Sequence, residues 1–312
     1  MSAHPTGRPG GVAARLAHLA TRLTPRDLWL CELVDEHRVL TTHQLTDLAF
    51  PNLDTAEHRL VILHRLGVLV RFRPRRDLGT APYHYVLGPA GARVLAARRG
   101  LNPSGVRYRR DDALGVAHWQ QLDHLIAVNG FFSALARAAR HRADRALATW
   151  WSERRCAARW GGLVRPDGYG RWRDAEDEVD FFVEVDLATE PPRRLTAKLS
   201  GYQDLVAATQ ITTPVLFWFP TPQREATARA ALGTPTIPVA TASPTRPANG
   251  AGGPAGPVWL WLGSTTPRLP LAALAHDPTS SAAPTPCPAG VPAPATPPDL
   301  AGTDEHLTPP AP

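Results

Sequence analysis

The chain has 312 residues, of which 43% are hydrophobic, and a formal net charge of +6. That length predicts two domains plus a tail, with enough apolar residues for packed cores. No apolar run approaches the roughly 18 residues of a membrane span, and the three widely spaced cysteines show neither a disulfide pattern nor metal-ligand spacing, which predicts a cytoplasmic protein without a membrane partner.

The positive charge is concentrated towards the N-terminus. Residues 1–110 contain 17 Arg and 8 acidic residues, a balance of +9, whereas residues 111–240 have a balance of −1 and residues 241–312 a balance of −2. A basic segment beside near-neutral ones predicts a nucleic-acid-binding module at that end of the chain. Solubility alone would not explain the asymmetry.

Composition and periodicity predict five segments. The N-terminus lacks an apolar signal core and is predicted to be a disordered arm. The C-terminal segment is rich in Pro, Ala, Thr and Ser without periodicity, which predicts a disordered tail. In chain order the segments are the arm (1–23), a helical domain with a hairpin (24–100), a linker (101–115), an α/β domain (116–265) and the tail (266–312).

The helical domain has the element order of a winged helix-turn-helix. Capping patterns predict helices over residues 25–37 and 41–50, and a third from Asp54 to the glycine at 67. Strands over 68–73 and 83–87 then form a hairpin, and a further helix follows over 89–99. The alternative is a winged helix that serves only protein contacts.

Residues in two places of this domain are predicted to bind double-stranded DNA. In a winged helix-turn-helix the third helix enters the major groove and the wing lies near the backbone. Arginines suit phosphate contacts. The predicted DNA-binding residues are Thr55, His58, Arg59 and Arg65 on the third helix, and Arg71, Arg73, Arg75 and Arg76 on the wing.

The remaining segments alternate between helix and strand, which predicts an α/β domain and an α+β chain overall. His124, on its first long helix, is predicted to be a packed or hydrogen-bonding residue. The predicted elements are a helix over 116–142, a tryptophan-rich strand over 146–154, a strand from 167 with an acidic turn over 174–180, a strand over 179–187, a helix over 192–209, a strand over 214–219, a helix over 221–232 and strands over 237–241 and 258–262.

The strand over residues 179–187 has one wholly apolar face. Because side chains alternate along a strand, Glu184 and Asp186 share the opposite face. If the preceding strand folds back as a hairpin, Asp167 comes close to Glu184. Three carboxylates at one end of a sheet are suited to a hard cation such as Mg²⁺.

Lys198 is the single lysine of a chain with 33 arginines. It falls in the helix directly after the carboxylate strand. A compact ammonium can do chemistry that a planar guanidinium cannot, which indicates a role for Lys198 at the carboxylates. The alternative is a chance survivor of a coding bias towards arginine.

Together, Pro166-Asp167, Glu184-x-Asp186 and Lys198 resemble the core of the PD-(D/E)xK nucleases, which have a restriction-endonuclease-like fold. The resemblance implies a magnesium site at Asp167, Glu184 and Asp186, and a catalytic set of these three residues with Lys198. The sequence departs from the pattern in one place, because Asp186 occupies the usual position of the lysine. A catalytically retired nuclease fold is therefore the alternative.

A wider set of motifs resembles the actinobacterial replication-relaxation family over about residues 24–240. Family membership implies a role in plasmid or mobile-element replication and DNA relaxation, with plasmid replication or mobilisation proteins as partners. A homodimer is compatible with it, and a transcriptional regulator is a further alternative. The motifs are His124-x4-Asn129-x-Phe131-Phe132, Trp150-Trp151-Ser152-Glu153-Arg154-Arg155, Gly162-x2-Arg165-Pro166-Asp167-Gly168 and Phe182-x-Glu184-x-Asp186-x2-Thr189-Glu190.

Overall fold

A computed structural model describes residues 10–75, 79–116, 121–140, 142–189, 191, 193–244, 253–264 and 267–276. The chain forms two compact units, the first reaching Leu122 and the second beginning at Asp123. Both contain helices and strands, which confirms the mixed α/β class. No helix in the described ranges has the length and apolarity needed to cross a membrane.

The first unit combines helices with a small antiparallel sheet. The sheet has three strands in the order β1-β3-β2. Its helices are α1 (Gly10–Ala20), α2 (Pro25–His37), α3 (Thr42–Ala49), α4 (Leu53–Arg65), α5 (Pro89–Arg98) and α6 (Arg110–Gly115), and its strands are β1 (Leu40–Thr41), β2 (Leu69–Phe72) and β3 (His84–Leu87).

Side-chain caps fix where the helices of this unit begin. Thr24 and Thr41 each form the predicted capping box, with Asp27 and Gln44 as the reciprocating residues. Helix α4 differs from the prediction, because Asn52 rather than Asp54 caps it. The Asn52 side chain accepts a hydrogen bond of 2.9 Å from the Thr55 amide. Asp54 instead lies inside the first turn, where its charge favours the positive end of the helix.

Two segments of the first unit are more ordered than the sequence suggested. Helix α1 lies within the predicted disordered arm, and its end is anchored because Leu19 and Leu23 are buried. Apolar residues at helical spacing explain this packing. The predicted linker contains a short 3-10 turn, Pro103–Gly105, as well as α6.

The second unit is a six-stranded mixed sheet between helices. Strands β4, β5 and β6 form an antiparallel meander, β6, β7 and β8 are parallel, and β9 returns antiparallel. The helices are α7 (Leu122–Ala139), α8 (Glu153–Trp160), α9 (Arg193–Thr209) and α10 (Pro222–Leu232), and the strands are β4 (Arg145–Ser152), β5 (Gly168–Asp174), β6 (Asp177–Val185), β7 (Val215–Trp218), β8 (Val239–Ala242) and β9 (Leu260–Trp261).

Helix α7 covers one face of this sheet. The Phe132 ring stacks on Trp150 with 5.1 Å between centroids and lies 6.1 Å from Phe181. Gly168 and Gly170 of β5 leave the space for this ring, since a Cβ atom on Gly168 would come within 2.7 Å of it. The aromatic layer thus fixes α7 against the start of β5.

Helices α8, α9 and α10 cover the other face, so the sheet is buried on both sides. The Trp160 ring meets Phe182 edge-on at 5.0 Å, and Phe182 lies 5.4 Å from Tyr202. Helix α8 was not predicted: the predicted strand over 146–154 overlapped only its first two residues, and no element was predicted for the rest of it. Ser152 ends that strand and caps α8 by accepting a hydrogen bond from the Arg155 amide.

The second unit extends beyond the predicted boundary at residue 265. Leu271–His276 forms a 3-10 helix that packs on β6, with Leu271 and Leu274 buried. Arg268 pairs with the buried Glu225, which ties this segment to α10. Residues 277–312 of the predicted tail lie outside the described residues.

Candidate active site

The β5–β6 hairpin brings two carboxylates together. Gly168 pairs with Val183, and this register places Asp167, one residue earlier, opposite Glu184. Both carboxylates are buried. Asp167 Oδ2 accepts a hydrogen bond of 2.8 Å from the Val185 amide, which fixes the orientation of the Asp167 carboxylate.

Lys198 of α9 reaches both carboxylates. Its Nζ donates a hydrogen bond to Glu184 Oε2 and lies 3.6 Å from Asp167 Oδ1. The position follows from the amphipathic pattern of α9, because Leu195 and Leu199 are buried against the sheet and place Lys198 beside them. The lysine side chain keeps 37% exposure, so the cluster opens to solvent on the Lys198 side.

Two further side chains, neither of them predicted to be a site residue, complete the cluster. Tyr202 donates a 2.5 Å hydrogen bond to Glu184 Oε1, and His124 Nε2 lies 3.1 Å from Asp167 Oδ2. Tyr202 follows Lys198 by four residues, so helical spacing could have indicated it. The prediction that His124 is a hydrogen-bonding residue is confirmed, but its partner could not be predicted, because the contact depends on how α7 docks on the sheet.

Burial and neighbouring charges give the two carboxylates different pKa values. Burial, followed by the charge of Asp167, raises the pKa of Glu184 from 4.5 to about 7. Burial also opposes ionisation of Asp167, but the hydrogen bond from His124 and the charges of Lys198 and His124 outweigh it, so the pKa of Asp167 is lowered. Asp167 is thus the ionised member of the pair, and Glu184 is poised near neutral pH.

The same carboxylates shift the pKa values of the hydrogen-bond donors around them. Burial would lower the pKa of Lys198, but the charges of Glu184 and Asp167 outweigh it and raise that pKa. For His124, burial is likewise outweighed by the hydrogen bond and charge of Asp167, so its pKa is raised. Burial and the charge of Glu184 raise the pKa of Tyr202, which therefore remains a hydrogen-bond donor.

Asp186 does not join this cluster, contrary to the predicted three-carboxylate site. Its carboxylate pairs with Arg224, with 2.7 Å between Oδ2 and Nη2, and accepts a hydrogen bond from the Ala188 amide. Strand β6 ends at Val185, so alternation no longer directs the Asp186 side chain. Across the described ranges, no group of three His, Cys, Asp or Glu side chains is arranged to hold a metal ion.

Arg59, a predicted DNA-binding residue, is used inside the first unit. Its Nε donates a 3.0 Å hydrogen bond to Asp27 Oδ1, and its Nη2 bonds both Asp27 Oδ2 and, at 2.9 Å, the Arg22 carbonyl. Asp27 is fully buried, and the Arg59 side chain is only 13% exposed. The Nε and Nη2 groups of Arg59 are therefore engaged inside the fold, where they pair with a buried carboxylate, and the predicted contact of Arg59 with DNA stays a prediction.

The other predicted DNA-binding residues lie on α4 and the hairpin. Arg65, Arg73 and Arg75 are exposed, Thr55 and Arg71 are half-buried, and His58 is exposed with Asp54 3.8 Å away on the same helix. The guanidinium groups of Arg71 and Arg73 lie over the Tyr83 ring. Arg76 lies outside the described residues.

The raised pKa of Glu184 predicts that stability depends on pH. The folded chain holds this proton more tightly than the unfolded chain, so the stabilisation is complete below pH 4.5 and is lost as the pH rises through about 7. We expect the melting temperature to fall between about pH 5 and pH 7.5. Titration of Glu184 should lower the free energy of unfolding by at most about 1.4 kcal/mol per pH unit in this range.

Glu184→Gln should reduce this pH dependence and leave a smaller one of the same sign from His124, whose pKa is also raised. Glu178→Gln removes an exposed carboxylate from the same strand and serves as the control. A Glu184→Gln variant with the full wild-type pH dependence would show that Glu184 does not titrate in this range.

Comparison with known proteins places the chain in a family. A model of the replication-relaxation family matches residues 32–220. No curated protein and no solved structure matches the chain. The family match spans more than half of the 312 residues and includes most of the first unit and the carboxylate–lysine cluster of the second. The protein therefore belongs to the replication-relaxation family.

Proposed function

We propose that this protein binds double-stranded DNA through its first unit and nicks a phosphodiester bond at the Asp167–Glu184–Lys198 cluster of its second unit. The convergence of two buried carboxylates and the only lysine at one end of a sheet carries the proposal. The family suggests the setting, which is the replication or relaxation of plasmid or mobile-element DNA. Plasmid replication or mobilisation proteins are the partners expected there.

The first unit supports DNA binding by its element order and charge. Helices α2, α3 and α4 precede the β2–β3 hairpin, which is the order of a winged helix-turn-helix. Arg65 on α4 and Arg73 and Arg75 after β2 are exposed and available for phosphate contacts. Arg59 is left out of the proposed surface, because its guanidinium pairs with Asp27.

The second unit supports a nuclease-like core by its topology. Helix α7, the β4–β5–β6 meander, α9 and the parallel strand β7 occur in the predicted order, with the unpredicted helix α8 between β4 and β5. Asp167 directly precedes β5, Glu184 lies near the end of β6, and Lys198 lies on the helix that follows. Fold alone does not establish an activity, so the proposal depends on the side chains.

The donor set fits a magnesium ion with two protein ligands. Asp167 Oδ1 and Glu184 Oε2 both face the Lys198 ammonium, so an ion held by these two oxygens would displace the partly exposed ammonium from between them. Mg²⁺ commonly uses one or two carboxylates and completes its shell with waters and substrate phosphates. Asp167 and Glu184 would hold the ion. When bound, it would lower the pKa of a water molecule and offset charge on the phosphate.

The chain's own residues have separate tasks around that ion. The Val185 amide and His124 hold the Asp167 carboxylate in place, and Tyr202 holds Glu184. Glu184 must lose its proton to bind a cation, which is feasible because its pKa lies at about 7. Lys198, partly exposed, would donate a hydrogen bond to a phosphate oxygen and stabilise its charge in the transition state.

The test is nicking of supercoiled plasmid by the full chain with Mg²⁺ or Mn²⁺. We expect the wild type to produce open circles, and Glu184→Gln to lose this activity while still binding DNA. Glu178→Gln, an exposed carboxylate on the same strand, should nick like the wild type. Wild-type protein that binds DNA without nicking it under either metal would overturn the catalytic proposal.

A second candidate is a DNA-binding protein whose nuclease fold is catalytically retired, including a transcriptional regulator. The pairing of Asp186 with Arg224 favours it, because this pairing leaves two carboxylates in the cluster where the prediction had three. A protein of this kind would bind DNA as the wild type does, and Glu184→Gln would change its stability but none of its DNA chemistry.

A further inference from the structure

Two arginines of the β2–β3 hairpin share one aromatic ring. The Arg71 guanidinium carbon lies 4.1 Å from the centroid of the Tyr83 ring, and that of Arg73 lies 3.8 Å from it. The strand register explains the arrangement. Phe72 pairs with His84, so Arg73 lies opposite Tyr83, and Arg71 is two residues away on the same side of the strand.

Like charges gathered on one ring repel each other, so the arrangement needs an explanation. Stacking on the electron-rich face of Tyr83 offsets part of the repulsion. In the parts of the chain that the structure describes, neither arginine forms an ion pair with an acidic residue. Arg71 also forms a hydrogen bond with the Tyr85 side chain, which brings no negative charge to compensate the guanidinium. The positive charge of the pair is therefore left for an external anion.

The backbone that carries the Tyr83 ring is anchored. The Tyr83 carbonyl accepts hydrogen bonds from the Thr42 amide at 2.9 Å and from the Thr42 hydroxyl at 3.3 Å, which ties its backbone to the first turn of α3. The Tyr83 ring, directly before β3, lies 6.4 Å from the Tyr85 ring. A backbone held in this way limits the movement of the ring and of the guanidinium groups stacked on it before any ligand arrives, which lowers the entropic cost of binding.

We infer that Tyr83 gathers Arg71 and Arg73 into a clamp for a phosphate of the DNA backbone. Guanidinium groups donate two parallel hydrogen bonds to phosphate oxygens, and two of them held side by side match the charge and shape of one phosphodiester. Tyr83 is a positioning residue, since it acts through the arginines. This inference rests on the proposed DNA binding, and it adds the residue that arranges the wing.

The experiment measures binding of duplex DNA by the full chain as a function of salt concentration. We expect Tyr83→Leu to weaken binding about tenfold and to lower the slope of log K against log salt by about one, the loss of one phosphate contact. The double variant Arg71→Gln/Arg73→Gln should give the same change, and Tyr83→Phe, which keeps the ring, should behave like the wild type. Circular dichroism and melting temperature verify that each variant is folded.

A second readout separates the clamp from the proposed DNA binding. In the wild type, the Arg71 and Arg73 Nε–H signals should show ring-current shifts and respond to added inorganic phosphate, and Tyr83→Leu should remove both effects. Wild-type salt dependence in Tyr83→Leu, or missing ring-current shifts, would overturn the clamp even if DNA binds. Protein that responds to phosphate but never binds duplex would overturn the proposed DNA binding, and with it the assignment of DNA as the ligand.

Discussion

Replacing Lys198 with arginine is expected to reduce metal-dependent nicking at least about 100-fold, the usual loss when one transition-state donor is removed. The ammonium donates to Glu184 and lies 3.6 Å from Asp167, so it occupies a narrow space between two buried carboxylates. A guanidinium is larger and planar and would bind the carboxylates bidentately. The Lys198→Arg variant would keep the positive charge, but its N–H groups would point to the carboxylates and not to the phosphate.

Arg193→Lys, an exposed position on the same helix, is the matched control and should nick like the wild type. Lys198→Met removes the charge as well and should be inactive. Both Lys198 variants should bind DNA with wild-type affinity, because DNA binding is assigned to the first unit. Equal nicking by wild type and Lys198→Arg would show that the only lysine of the chain is a chance survivor.

The proximity of Asp167, Glu184 and Lys198 could be predicted from the sequence because it depends on local geometry. A short turn fixes the register of a hairpin, and that register determines which side chains are opposite each other. The helix that follows the strand carries its own apolar pattern, which orients Lys198. Each step involves neighbouring elements, so no long-range docking had to be known.

The prediction failed for Asp186 because the local rule ends where the strand ends. Alternation placed Asp186 on the same face as Glu184, but β6 stops at Val185 and the chain turns through Ala188, which has a φ of 61°. Arg224, on a helix that begins much later in the chain, then binds the carboxylate. Such a partner leaves no local signal in the sequence. The contact of His124 with Asp167 is of the same long-range kind.

Helix boundaries were predicted best where a cap was recognised. The Thr24 and Thr41 capping boxes gave the starts of α2 and α3, whereas α8 was missed although Ser152 and Glu153 form a cap signal within the strand pattern. Composition misled at the C-terminal boundary. Residues 266–276 resemble the proline-rich tail in content, but Leu271 and Leu274 are sufficient to pack this segment on β6.

Replacing Arg59 with alanine is expected to lower the free energy of unfolding by about 3 kcal/mol, because removal of one partner leaves a buried charge unpaired. Asp27 is fully buried, and Arg59 supplies two of its hydrogen bonds. The Thr24 amide and hydroxyl, at 2.7 and 2.8 Å, would remain as donors but carry no charge to compensate the carboxylate. Urea unfolding at neutral pH measures the loss.

Arg65→Ala, an exposed arginine on the same helix, is the control for this change. It should alter stability by less than about 0.5 kcal/mol, as surface substitutions usually do. A DNA-binding assay, at a temperature at which both variants are folded, should reverse the order of the two effects. Arg65→Ala should bind DNA more weakly than the wild type, whereas Arg59→Ala should bind it with wild-type affinity. The double variant Asp27→Asn/Arg59→Met should be more stable than Arg59→Ala, because it removes the buried carboxylate whose charge would otherwise be unpaired. If Arg59→Ala had wild-type stability and reduced DNA affinity, Arg59 would be a DNA-binding residue as predicted from the sequence.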